Sequence, residues 1–142
     1  MQKDITVFAI RFTIVNHTAA APFPHGAIKC LFESIARRLK SHQEAMICHI
    51  KGLCETASGL ELLKASYVSD RSGVAFSGRW KDDAQSVFLT LNVIALHISM
   101  VALSETVRAS ITETEKICGV SFTENRTSTY ENRIIYPKKE VS

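Results

Sequence analysis

The stretch AQSVFLTLNVIALHISMVALS, residues 84–104, contains no Asp, Glu, Lys or Arg, in a chain that otherwise scatters charge along its length. How these residues are buried decides the fold. No Gly or Pro interrupts between here and Gly119, and Asp82 and Asp83 stand where a helix amino terminus wants capping oxygens and negative charge. These signals predict one long helix over 83–116. At about 100° per residue, polar stripes through Thr90 and His97 and through Gln85, Asn92 and Ser99 separate two apolar sides. Val87, Phe88, Leu91, Ile94, Ala95 and Ile98 form one, and Leu89, Val93, Leu96 and Met100 the other.

As a helix the stretch would be about 31 Å long, enough to cross a hydrocarbon core. Asn92 and His97 at mid-span are unfavourable in lipid, and the rest of the chain reads as a water-facing sheet with its own helix, so no membrane span is expected. A helix with two apolar sides then needs two protein partners. Its own sheet supplies one; a second copy of the chain supplies the other, which predicts a homo-oligomer with Asn92, Leu96, His97 and Met100 at the contact. The competing cover is the chain's own carboxy-terminal tail.

Outward from this stretch the patterns are shorter. In ITVFAIRFTIV, residues 5–15, Phe8, Ile10, Phe12 and Ile14 share one face at period two, the mark of a strand. NHTAAAPFPHG is a loop. From Ala27 to Leu39, apolar Ile28, Leu31, Phe32, Ile35 and Leu39 keep helical spacing. AMICHIKGLCE reads as a second strand, and LELLKASYVS and GVAFSGRW as a hairpin turned by DRSG. The expectation is an α+β two-layer sandwich in the order β-α-β-β-β-α, with a mainly antiparallel four-stranded sheet. Residues 1–122 form the single domain, and 123–142 a polar tail that could add a short strand at RIIYP.

The chain has 142 residues, 46% apolar and 22% charged, with a formal charge of +3. These are values of one globular domain and lack the clustered excess of basic residues that marks a nucleic-acid binder. The amino terminus lacks the basic and long apolar regions of an export signal, so the four cysteines, Cys30, Cys48, Cys54 and Cys118, are expected as reduced thiols in the cytoplasm. The sequons at Asn16 and Asn125 are then chance matches.

Candidate chemistry falls into three places. Arg11, His49, Lys51 and Arg79 project from the sheet face that the first helix leaves uncovered, a basic surface fit for a phosphate or carboxylate. PFPHGAIKC places His25, Lys29 and Cys30 in the first turns of a helix, where free backbone N–H groups attract an anion, although it lacks the P-loop pattern. Cys48, His49 and Cys54 resemble metal ligands in type, but on a regular strand His49 points away from the two cysteines, so no metal site is expected. No catalytic carboxylate pair, serine triad or dinucleotide fingerprint appears, and no cofactor is indicated. Three functions follow: an oligomeric binding or accessory module for a small anionic ligand or a protein partner, a small enzyme whose site at a subunit boundary uses His25, Cys30, His49 and Lys51, and, least favoured by the charge, a nucleic-acid-binding protein.

Overall fold

The computed structural model describes residues 5–18, 23–42, 45–81 and 84–131, the side chains of Cys48 and 126–131 excepted. Its elements run β1 (Ile5–Asn16), α1 (His25–Lys40), β2 (Met46–Glu55), β3 (Leu62–Tyr67), β4 (Val74–Arg79), β5 (Ser86–Leu96), α2 (Met100–Cys118) and β6 (Val120–Glu131). Among the described residues the sheet has six strands in the order β4-β3-β2-β5-β1-β6, every neighbouring pair antiparallel. This corrects both the four-stranded sheet and the β-α-β-β-β-α order.

The error lies in residues 84–104. The long helix is absent. Ser86–Leu96 is instead a central strand, paired with β1 on one side and β2 on the other, so its backbone groups are satisfied by two neighbours and not by a helical ladder. Its period is two: Val87, Leu89, Leu91, Val93 and Ala95 are buried, while Phe88, Thr90, Asn92, Ile94 and Leu96 alternate with them on the half-exposed side. Its open-face residues include Phe88, Ile94 and Leu96, so this strand is apolar on both faces and its sequence imitates a helix apolar all round. Its Val, Thr and Ile residues are stiff at χ1 and favour this choice.

The chain then turns at His97, whose φ of 61° makes it a non-glycine residue in the left-handed region. Ser99 caps the new helix, its side chain accepting a hydrogen bond from the Ala102 N–H at 3.1 Å. Thr6, buried in β1, secures the turn by donating to the Ile98 carbonyl at 2.6 Å. α2 ends at Gly119, a left-handed cap with φ 68°. From 120 onward the chain is β6, which lies along β1 to Glu131. The RIIYP segment lies outside the described residues, as do Asp82 and Asp83.

Two crossovers shape the sheet. β1-α1-β2 leaves a gap that β5 fills, and β5-α2-β6 leaves a gap that β1 fills, so the centre is a pair of split β-α-β units of the ferredoxin-like kind, extended beyond β2 by the β3–β4 hairpin. The core lies between the sheet and the two helices. Phe8, Ile10, Phe12 and Ile14 of β1 and the buried row of β5 meet Ile28, Leu31, Phe32 and Ile35 of α1 and Leu103 and Val107 of α2. Gly52 of β2 leaves a notch here: a Cβ would stand 2.9 Å from Phe32 Cζ and 3.1 Å from Leu89 Cδ1.

The helices run side by side and are tied by Glu113. Its carboxylate accepts from Arg37 at 2.6 and 2.7 Å, from Arg38 at 2.9 Å and from Ser34 at 2.9 Å. The hydrogen bonds from Arg38, then Arg37, then Ser34 hold the carboxyl down at about 2, against an ordinary value of 4.5. A folded pKa below the unfolded one gives stability that is complete above about pH 4.5 and is lost as pH falls towards 2. The arginine side chains are 60% and 40% exposed, so solvent screening reduces the contribution to about 1–2 kcal/mol. Glu113→Gln is therefore expected to flatten the acid limb of stability between pH 4.5 and 2, read by urea unfolding at stepped pH. An unchanged limb would show that other carboxylates carry it.

Candidate functional site

Both helices pack on one face of the sheet, and among the described residues nothing covers the other. Strand register places on that open face Val7, Ala9, Arg11 and Thr13 of β1, Thr90, Asn92 and Ile94 of β5, His49, Lys51, Leu53 and Glu55 of β2, Lys64 and Ser66 of β3, and Ala75, Ser77 and Arg79 of β4. The middle of this face is not flat. A depression of about 430 Å³ is lined by the side chains of Lys51, Leu53, Lys64, Ser66, Ser77 and Asn92, with Thr90 and Ala75 beside them.

Its shape follows from side-chain size. Lys51 lies between Asn92 and Ser66, Ser66 opposite Ala75, and Lys64 between Leu53 and Ser77. The small residues of β3 and β4 leave a low floor, and Lys51, Lys64 and Leu53 rise round it. Among the described residues neither lysine has a carboxylate partner. The hydroxyls of Ser66, Ser77 and Thr90 and the Asn92 amide are oriented by the pleat to the same side.

Arg11 flanks the depression, donating to Thr90 Oγ1 at 3.0 Å, with Glu55 at 3.5 Å and its guanidinium 4.9 Å from the centre of the Phe88 ring. It is held in place by those contacts. His49 follows Lys51 on the same face, and burial, then the Lys51 charge, push its ring below the ordinary imidazole range. The shift favours the neutral ring.

Of the residues read from sequence as a basic surface, Arg11, His49 and Lys51 share the open face, and of these Lys51 lines the depression while Arg11 and His49 lie outside the lining. Arg79 shares their face but sits at the far end of β4, opposite Leu62 and outside the lining. His25, Lys29 and Cys30 belong to α1, on the other side of the sheet; the His25 ring lies 5.0 Å from that of Phe76, and Lys29 pairs with Glu33 at 3.0 Å. The four residues of the enzyme reading, His25, Cys30, His49 and Lys51, are thus divided between two faces in one chain. Lys64, Ser66 and Ser77 escaped sequence reading because strand order, which no local period encodes, sets which side chains stand beside Lys51, and Thr90 and Asn92 because they were placed on a helix.

The residues expected at an oligomer contact are dispersed. Asn92 and Leu96 lie on the open sheet face, His97 is exposed at the turn and Met100 opens α2. The helix whose second apolar side called for a partner is not present. At the suspected metal position a register shift between Ile47 and His49 does bulge β2, turning Met46 to the open face, yet Cys54 stays fully buried beneath the helices. Burial, then Glu55, push its thiol up to about 12. Among the described residues no cluster of three His, Cys, Asp or Glu side chains could hold a metal ion, and no helix is long and apolar enough to cross a membrane.

No model of a known protein family matches the chain, and a comparison with curated proteins gives no match. Among solved structures it is similar to a hydantoinase/carbamoylase family amidase from Burkholderia ambifaria, at 15% identity and a TM-score of 0.42. The similarity covers 89% of this chain and 28% of that one, so the chain spans little more than a quarter of the amidase's length.

Proposed function

We propose that the protein is a binding module that receives a small anionic compound, a phosphate or a carboxylate, in the depression on its open sheet face. The observation that supports this is the pairing of two lysines without carboxylate partners, Lys51 and Lys64, above a floor of hydroxyl and amide groups. The ammonium groups supply charge and the floor supplies directed hydrogen bonds, the combination that oxyanions need. The compartment proposed for it is the cytoplasm, on the sequence reading of its four cysteines as reduced thiols.

Calorimetric titration of the full chain with inorganic phosphate and with citrate tests the reading. A hydrogen bond to a charged group contributes about 1.5–3 kcal/mol, so Lys51→Ala and Lys64→Ala are each expected to weaken binding by roughly tenfold to a hundredfold. Lys29→Ala, on the opposite face, is expected to change nothing. Absence of binding by the native chain to both anions, or full affinity in the Lys51→Ala/Lys64→Ala chain, would overturn it.

A further inference from the structure

Cys30 and Cys118 meet where the two helices lie against each other. α1 and α2 are antiparallel: Ser34 of α1 bonds Glu113 of α2, and from that contact one turn back along α1 reaches Cys30 while just over one turn forward along α2 reaches Cys118. Cys118 Sγ stands 4.0 Å from the carbonyl oxygen of Gly26, one turn before Cys30 on the same helix, which sets the sulfur against the turn that carries Cys30. Both residues are partly exposed, whereas Cys54 is sealed. A pair of neighbouring thiols within reach of solvent is a different object from a structural core cysteine.

From this juxtaposition we infer that Cys30 and Cys118 form a redox pair, closing to an intramolecular disulfide that clamps the start of α1 to the end of α2. The oxidant is a hydroperoxide. The Cys30 thiolate attacks one oxygen of hydrogen peroxide; the S–O bond forms, the O–O bond breaks, and the departing hydroxide is protonated to water, leaving a sulfenic acid. The Cys118 sulfur then attacks the Cys30 sulfur and expels hydroxide, which carries away the Cys118 proton as a second water. Two thiols are oxidised, one peroxide is reduced, and a dithiol reductant reverses the change. Burial, then the neighbouring Cys30, push the Cys118 thiol up to about 11, in keeping with its taking the second, resolving step.

The bridge is independent of the anion site, which lies on the other side of the sheet. Its test uses the full reduced chain, treated with graded hydrogen peroxide, alkylated and digested with trypsin. Each cysteine falls in a separate peptide: CLFESIAR holds Cys30, ICGVSFTENR holds Cys118, SHQEAMICHIK holds Cys48 and GLCETASGLELLK holds Cys54. The expected product is CLFESIAR linked to ICGVSFTENR, lighter than the sum of the two by two hydrogen atoms and separated by dithiothreitol. In Cys118→Ser the linked species should vanish and Cys30 should proceed to sulfinic acid. Linkage of Cys30 to Cys48 in the native chain, or oxidation of both residues singly with no linked species, would overturn the pair.

Discussion

Leu91→Asp is expected to leave the chain unfolded in buffer, whereas Asn92→Asp, one position further on, is expected to leave it folded. Leu91 has no exposed surface and lies between Ile10 of β1 and Gly52 of β2, with the helices above it. Its strand neighbours Ile10 and Gly52 offer no side-chain cation or donor, and an unpaired buried charge costs several kcal/mol, about 4 or more. That is comparable with the whole stability of a domain of this size, about 5–15 kcal/mol. Asn92 points to the open face between Ala9 and Lys51, where a carboxylate stays wet and has an ammonium beside it. Circular dichroism and urea unfolding of the two proteins read the difference. Equal tolerance at both positions would contradict the strand assigned to 86–96. Folded Asn92→Asp protein should also bind phosphate more weakly, since the new charge lines the depression.

Phe32→Ala is expected to lower the unfolding free energy by about 3–5 kcal/mol, the usual cost of removing a fully buried ring and leaving a cavity. The geometry sharpens this. The ring of Phe32 reaches over β2 where Gly52 offers no side chain, so the two positions form one packing unit. Gly52→Ala alone should destabilise, because its new methyl group meets Phe32 Cζ at 2.9 Å and Leu89 Cδ1 at 3.1 Å. In the Phe32→Ala background the same methyl group enters the vacated space and should recover part of the loss. Chemical denaturation of the four proteins gives the coupling, and strict additivity would mean that helix and strand do not interlock here.

The individual short patterns were legible in the letters. Phe8, Ile10, Phe12 and Ile14 alternate, and in the structure all four are buried; Ile28, Leu31, Phe32, Ile35 and Leu39 keep helical spacing, and all five face the core. The β3–β4 hairpin was visible from DRSG between two apolar runs. Residues 84–104 read as a helix because β5 carries Phe88, Ile94 and Leu96 on its open face as well as its buried row, which gives it the composition of a helix apolar on two sides. The distinguishing signals were local and weak, the alternation of Val87, Leu89, Leu91, Val93 and Ala95 and the cap at Ser99. The site suffered in turn. With β5 taken for a helix, Thr90 and Asn92 could not be seen beside Lys51.

Sequence alone determined which segments carry a buried face and, in β1 and α1, at what period, because side-chain direction along a strand or helix is a local property of the backbone. It also determined the overall balance of charge and apolar surface. Only the tertiary structure decided that 86–96 lies between β1 and β2, that the β3–β4 hairpin widens the floor next to Lys51, and that Cys30 stands against Cys118. Those arrangements depend on strand order and helix packing, where residues distant in the chain compete for the same neighbours, and no local period encodes which neighbour wins.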